Sequence, residues 1–309
     1  MKSRFQMLLV GALLGVVAIT GVKTAYALSI SPLNFEVNGN PGEKISNIVR
    51  IYNDTESVMS VEMTVQDFVA AGEKGEVLVK EAGEETGYGL AKWVGLTPAS
   101  FSLAPRSSQM VEFTIDVPIS AEPGGHYASI LASTGGTPGE GSSGVGVVQK
   151  IGSLLLLNVA GEVREDMSVL EFTVPEFSEY GPETITARFS NEGTVHLKPR
   201  GFVLVKNMLG GEIARVDLPQ LNVLPNSVRK VDIPLEQGGQ FGRYEATLAA
   251  IYGATNEPVS AVTVYWVIPW KALAVIGAII LVLLVLIIKA RKRLGIAFRI
   301  IFKGNSSGS

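Results

Sequence analysis

The feature that most constrains this chain is an uncharged run of Leu, Ile, Val and Ala from Ala272 to Ile288, followed by Lys289, Arg291, Lys292 and Arg293. Its length falls at the short end of the roughly 17–25 apolar residues that carry an α-helix across a bilayer. In hydrocarbon every backbone N–H and C=O needs an internal partner, so a lone spanning segment has to be helical. Trp266 and Trp270 precede the run, where aromatic rings favour the headgroup level, and Lys271 can extend its amine toward water. Lys- and Arg-rich flanks stay on the cytoplasmic side, so the tail is expected inside and the rest of the chain outside. A buried core helix, the alternative, does not carry such a flank. The tail from Arg291 to Lys303 alternates basic residues with Leu294, Ile296, Phe298, Ile300 and Ile301. It reads as an ordinary basic flank, with a short amphipathic segment on the inner leaflet as the alternative.

The N-terminus points to the same topology. Lys2 and Arg4 precede an uncharged apolar stretch from Met7 to Thr20, and Ala25-Tyr26-Ala27 matches the small-x-small pattern of a signal peptidase site. Residues 1–27 are therefore expected to be a signal peptide cleaved after Ala27. An uncleaved N-terminal helix is the alternative. The expected division is a 1–27 signal peptide, a 28–165 first domain, a 166–268 second domain, a 269–288 transmembrane helix and a 289–309 basic cytoplasmic tail. The expected location is a bacterial cell membrane, crossed once.

Charge separates along these lines. Lys2, Arg4, Lys23 and the seven Lys and Arg residues from Lys271 onward are ten of the 26 basic residues, and neither flank holds an acid. The other 16 face all 29 acids, so the middle of the chain stands near −13. Nucleic-acid binding needs clustered Lys and Arg, so it is not an expected partner. The chain has no cysteine, which excludes disulfides, zinc-thiolate sites and a thiol nucleophile. An exported bacterial protein of two domains buries enough core without staples.

Residues 28–268 carry the period-two alternation of half-buried strands. Val111-Glu112-Phe113-Thr114-Ile115-Asp116-Val117 is the clearest case. Ile48–Ile51, Val58–Val65, Val169–Val174, Thr184–Phe189, Phe202–Val205, Val228–Ile233, Tyr244–Ile251 and Val259–Val267 are of the same kind. Gly, Pro and Asn clusters punctuate them at the spacing of a sandwich or barrel.

The pattern occurs twice. Leu103-Ala104-Pro105-Arg106-Ser107, a strand, Pro118 and Gly125-His126-Tyr127 match Leu224-Pro225-Asn226-Ser227, a strand, Pro234 and Gly242-Arg243-Tyr244. Upstream, Pro41-Gly42-Glu43 with Tyr52-Asn53-Asp54 matches Gly181-Pro182-Glu183 with Ser190-Asn191-Glu192. The expected fold is all-β: two tandem immunoglobulin-like β-sandwich domains followed by a single C-terminal transmembrane α-helix. The Asn turns are expected to bond locally. The Tyr after Gly is expected to form a corner whose hydroxyl bonds back to the chain.

Ser133 to Gly146 is Gly- and Ser-rich, and Leu154-Leu155-Leu156-Leu157 follows it. Four successive leucines suit a strand buried on both faces, so the loop is expected to join two strands of one domain, with a domain boundary there as the alternative. This loop, at Gly135, Gly136, Gly139, Glu140 and Gly141, and the loop at 81–89 are the expected partner contacts. The expected membrane interface is Trp266, Trp270, Lys271, Lys289, Arg291, Lys292 and Arg293.

No catalytic, cofactor-binding or metal residue is expected. His126 and His196 lack metal-ligand spacing, and His126 reads as a surface or edge residue. Ser227-Val228-Arg229-Lys230 matches Ser-x-x-Lys, but in a strand residues three apart face opposite sides. Gly304-Asn305-Ser306-Ser307-Gly308 matches Gly-x-Ser-x-Gly without the strand and helix a nucleophile elbow needs. The acidic pairs Glu84-Glu85 and Glu165-Asp166 read as solvated faces, and the sequon Asn53-Asp54-Thr55 as turn chemistry.

Ile30-Ser31-Pro32-Leu33-Asn34-Phe35, Pro41-Gly42-Glu43, Asn53-Asp54-Thr55, Leu103-Ala104-Pro105 and Pro123-Gly124-Gly125, in an exported two-domain chain with a C-terminal anchor, resemble the WxL-interacting protein family of bacterial cell surfaces. The Pro-Gly and Asn turns also resemble pilus-chaperone-like domains. The first resemblance implies a first domain that faces peptidoglycan and a second that faces other surface proteins or host ligands. The expected function is non-enzymatic binding or scaffolding at a bacterial envelope, with cell wall or a surface protein as partner and membrane lipid contacted through one helix. The alternative is an accessory subunit of a membrane complex for export, pilus assembly or secretion.

Overall fold

The computed structural model describes residues 28–81, 83–84, 86–134, 149–236 and 238–303, with the backbone alone from 292 onward. The chain divides into two compact units, one of 1–69 and 77–163 and the other of 70–76 and 164–309.

The strands of the first unit are, in order, β1 (Leu28–Ser31), β2 (Asn34–Gly39), β3 (Lys44–Asn53), β4 (Met59–Ala71), β5 (Glu76–Val79), β6 (Val94–Thr97), β7 (Ser100–Leu103), β8 (Ser108–Asp116), β9 (Gly124–Thr134) and β10 (Lys150–Val159). One sheet runs β1-β3-β8-β6 and the other β2-β10-β9-β4-β5, with β7 paired to β4. The chain changes sheets between β1 and β2. Leu28–Ser31 runs antiparallel to β3, whereas Asn34–Gly39 runs parallel to β10 with Leu155 opposite Phe35. Ser153 Oγ and Leu154 N, which donate to Pro32 O and Leu33 O, hold the crossing.

The alternation seen in β8 becomes the core. Val111, Phe113 and Ile115 point inward, and the ring of Phe113 meets Phe35 edge-on at 4.8 Å. Burying a side chain of this size contributes about 1.5–3 kcal/mol. Leu155, Leu157 and Val159 join that core, while Leu156 is buried on the other face of β10. The leucine run therefore lies in an interior strand, as its lack of alternation implies. Residues 135–148 connect β9 to β10, which pair directly, with Ser133 opposite Lys150.

The second unit repeats the wiring. It holds β11 (Met167–Thr173), β12 (Phe177–Ser178), β13 (Thr184–Asn191), β14 (Arg200–Asn207), β15 (Glu212–Asp217), β16 (Ser227–Pro234), β17 (Gly242–Tyr252) and β18 (Glu257–Val267), followed by the helix α1 (Trp270–Lys303). Its sheets run β11-β13-β16 and β12-β18-β17-β14-β15. Each strand has a counterpart in the first unit, including the change of sheet between β11 and β12 and the parallel pairing of β12 with the last strand. The fold is an all-β pair of immunoglobulin-like sandwiches with one C-terminal helix. Nine strands contain the segments singled out by alternation. The short strands β1, β2, β5, β6, β7, β12 and β15 fall outside those segments.

The matched turns are built alike. Asn53 and Asn191 end β3 and β13 and are buried. Asn53 Nδ2 donates to Ser57 O, Leu103 O and Ala104 O, and Asn191 Nδ2 donates to Val195 O and Val223 O. Their bonding is thus long-range as well as local. Arg106 and Asn226 both adopt φ near +50° in the turns that follow, and Ser107 and Ser227 each donate to the carbonyl three residues back.

Candidate functional site

The described part of the 81–89 segment forms one wall of a cleft of about 330 Å³ in the first unit. The opposite walls come from the end of β4 (Asp67), the 3-10 turn Ala91–Trp93, the turn after β8 (Pro118 to Glu122) and the start of β9 (His126). Asp67 shapes the cleft. Its Oδ1 accepts from Leu90 N at 2.8 Å and Ala91 N at 2.7 Å, which holds the start of the 3-10 turn. Gly89 lies against this carboxylate, where a Cβ would stand 2.7 Å from Asp67 Oδ2, and pairs with Tyr127 in an isolated parallel bridge.

His126 is buried, which corrects the surface or edge placement expected from the sequence. The start of β9 pairs with β10 on one side, and on the other, beyond the end of its pairing with β4, it is flanked by the Tyr88–Gly89 segment, so a residue there is covered. His126 Nδ1 faces Gly89 O at 3.2 Å and Nε2 faces Glu122 O at 3.0 Å. A neutral imidazole donates from only one nitrogen, so each neutral tautomer satisfies one of these carbonyls. The ring of Trp93 packs on the imidazole at 4.4 Å. Asp67, Glu84 and Glu122 bring carboxylates to the cleft, and Thr86 Oγ1 is buried there without a hydrogen-bond partner. Among the described residues no three His, Cys, Asp or Glu side chains gather as a metal site. An aromatic ring and carboxylates are means by which a protein holds a polar ligand carrying hydroxyl or amide groups. The sequence nominated only the 81–89 wall. Asp67, Trp93, Glu122 and His126 carry no local motif that groups them.

The expected contact residues Gly135, Gly136, Gly139, Glu140 and Gly141 lie outside the described residues. Their flanks meet where Thr134 N donates to Gln149 O.

In the second unit Trp266 lies on β18 opposite Arg243 and Phe177, and Trp270 opens α1. Leu273 N donates to Pro269 O in the first turn, and Ile268 N donates to Ser178 O, which ties the approach to the helix to β12. Lys271 Nζ meets Glu179 Oε2 at 2.8 Å and stands 5.5 Å from the Trp270 ring. The Lys271 amine holds the Glu179 carboxyl below the usual carboxylate range. The segment Trp270–Arg291 is long and apolar enough to cross a membrane, and none of it is buried within the protein. Lys289 and Arg291 fall at its far end. α1 continues past them through Lys292 and Arg293 to Lys303, beyond the 288 limit read from hydropathy, because Lys and Arg are good helix formers and no Pro intervenes.

A second cleft, of about 560 Å³, is lined by Tyr180, Ile213, Glu236 and the 238–240 segment, with Tyr244 beneath. Tyr244 forms the expected corner: its hydroxyl accepts from Gln240 N and donates to Phe241 O. Tyr265 stacks on it at 5.5 Å and donates to Gly238 O, and burial pushes the Tyr265 hydroxyl well above its usual range. Arg188 centres a charge cluster in this unit. It reaches Glu73 at 2.5 Å and Glu171 at 3.0 Å, and holds the Glu73 carboxyl below the usual range.

No family model matches the chain, and neither does any curated protein. Solved structures similar to it include the class 5 fimbriae chaperone CfaA, at 11% identity and a TM-score of 0.41, covering 77% of this chain and 98% of that one. The YadV chaperone matches at 9% identity and a TM-score of 0.39, over 76% and 98% of the two chains. The E. coli chaperone DraB matches at 14% identity and a TM-score of 0.35, over 78% and 96%.

Proposed function

We propose that this chain is a non-enzymatic binding or scaffold protein of a bacterial envelope. In this reading α1 anchors it, both sandwiches lie outside the cell and the 303 end lies in the cytoplasm. The first unit contacts cell-wall material through the cleft walled by the 81–89 segment, in line with the resemblance of the sequence to the WxL-interacting family. The observation that carries the reading is the cleft itself, whose lining includes Trp93 together with Asp67, Glu84 and Glu122. Peptidoglycan presents both hydroxyl and amide groups, the chemistry such a lining holds.

The test uses the full chain in detergent, mixed with isolated cell wall and sedimented over a range of salt. Saturable binding that weakens when Glu84 and Glu122 are both replaced by Gln is the expected result. Absence of saturable binding, or binding indifferent to the double replacement, overturns the assignment of the cleft to the cell wall.

A further inference from the structure

The end of the second sandwich from which the helix leaves carries large apolar side chains that none of the described residues covers. Val267, the last residue of β18, pairs with Gly242 on one side and Ser178 on the other. Two rows inward, Tyr265 pairs with Tyr244, which pairs with Asn207 at the end of β14. The turn after Asn207, the residue before Gly242 and the chain beyond Ser178 therefore all project from the same end of this sheet as α1. Those positions are Met208 and Leu209, Phe241, and Tyr180, exposed by 69%, 91%, 66% and 73%. Trp266 and Trp270, also about half exposed, complete the group. Met208 Sδ lies 3.7 Å from where a Cβ on Gly242 would stand, which sets the hairpin tip beside the start of β17.

We infer that this collar rests in the outer interface of the membrane that α1 crosses, so that the second sandwich docks on lipid as well as being tethered to it. The inference rests on the reading of α1 as a membrane span. Distance supports it. Trp270 follows Val267 by three residues, which is at most about 10 Å of chain at the rise of a strand. Leu209, Phe241 and Tyr180 lie at the level of Val267 or one to two residues beyond it. With Trp270 at headgroup depth, the side chains of the collar fall within reach of an interfacial layer roughly 5–8 Å thick on each side of the hydrocarbon. The Ile268–Ser178 hydrogen bond and the Lys271–Glu179 ion pair hold the start of the helix against β12 and limit how far the sandwich can swing away. Composition supports it too. Trp, Tyr, Phe, Leu and Met suit the boundary between headgroup and acyl chain. Because Lys271 is paired with Glu179, the contact is apolar and needs no anionic lipid.

The chain has no cysteine, so single labels can be placed at will. Leu209→Cys, Phe241→Cys, Thr255→Cys and Ile280→Cys in the full chain, each carrying a polarity-sensitive fluorophore, would be reconstituted into phosphatidylcholine vesicles with quenchers at the headgroup or along the acyl chain. Thr255 is exposed in the turn between β17 and β18, at the opposite end of the sheet. The labels at 209 and 241 are expected to show blue-shifted emission and loss of intensity with shallow quenchers. The label at 280 is expected to respond to deep quenchers and that at 255 to neither, with no change on adding salt. If 280 is quenched while 209 and 241 behave like 255, the collar is overturned and the anchor stands. If 209 and 241 are shielded from water without lipid quenching, a protein partner or a second copy covers them and the lipid reading is again overturned. If 280 is not quenched, the membrane-span reading fails first and the collar with it.

Discussion

Asn53 and Asn191 occupy the same position in their two sandwiches and spend their side-chain amides in the same way, on the backbone of a strand-to-turn segment far along the chain. Asn53 reaches Leu103 and Ala104, and Asn191 reaches Val223. Each also accepts from a backbone N–H two residues on, that of Thr55 or of Gly193. A buried amide with donors and acceptor all satisfied stabilises strongly, because removing it strands several partners at once. Asn191→Ala is therefore expected to cost about 1–3 kcal/mol. Asn191→Asp should cost at least as much, since a carboxylate cannot donate to Val195 O and Val223 O. Thermal melts of the full chain in detergent check this, and an unchanged melting temperature in either variant would show that the turn is held by other means. The same bonds leave Asn53 no free amide, so the Asn53-Asp54-Thr55 sequon is expected to stay unmodified in a glycosylating host.

Glu73 and Arg188 give the second unit a pH dependence. Arg188 lowers the Glu73 carboxyl below its ordinary value of 4.5, so the folded state binds that proton less readily than the unfolded chain. The stabilisation is then fully present above about pH 4.5 and is lost as pH falls through the depressed folded-state value. Stability measured between pH 3 and 7 should decline more steeply in the native chain than in Glu73→Gln. Parallel curves would mean that the pair contributes nothing, as many exposed pairs do.

Thr86 tests the cost of a buried, unpartnered hydroxyl. Its Oγ1 is buried and unpartnered, so Thr86→Val removes a polar group that gains nothing from folding. The variant is expected to melt at or slightly above the native temperature, measured in detergent. A clear loss of stability would instead show that the hydroxyl is satisfied in solution.

The apolar span should be replaceable. Gly277 has open space where a Cβ would stand, and none of the described residues packs on the span. Exchanging Ala272–Ile288 for an unrelated Leu/Ala sequence of equal length is expected to preserve membrane insertion and cell-wall binding. A loss of function with insertion intact would favour the accessory-subunit reading, in which the surface of the helix recognises a membrane partner.

Much of the architecture was legible in the residues. The apolar run with its basic flank, the alternation in β8 and β17, and the doubled order of Pro, Asn and Gly-x-Tyr turns are local signals, and local signals are what a sequence displays directly. The Tyr244 corner followed from the same logic. The buried place of His126 did not, because the Gly-x-Tyr context says nothing about what flanks the start of β9. The cleft was legible only along the 81–89 wall.

What the sequence determined by itself is therefore the set of elements: where the long apolar helix lies, which segments are strands, and that one pattern occurs twice. The physical reason is that hydropathy and side-chain period act over a few neighbouring residues. Tertiary structure alone decided which strands pair, and so the change of sheet between β1 and β2. It gathered Asp67, Trp93 and His126 around one cleft, and set Leu209 and Phe241 at the end from which α1 departs. These depend on contacts between residues tens of positions apart, whose free energy is realised only when the two sheets close on a common core.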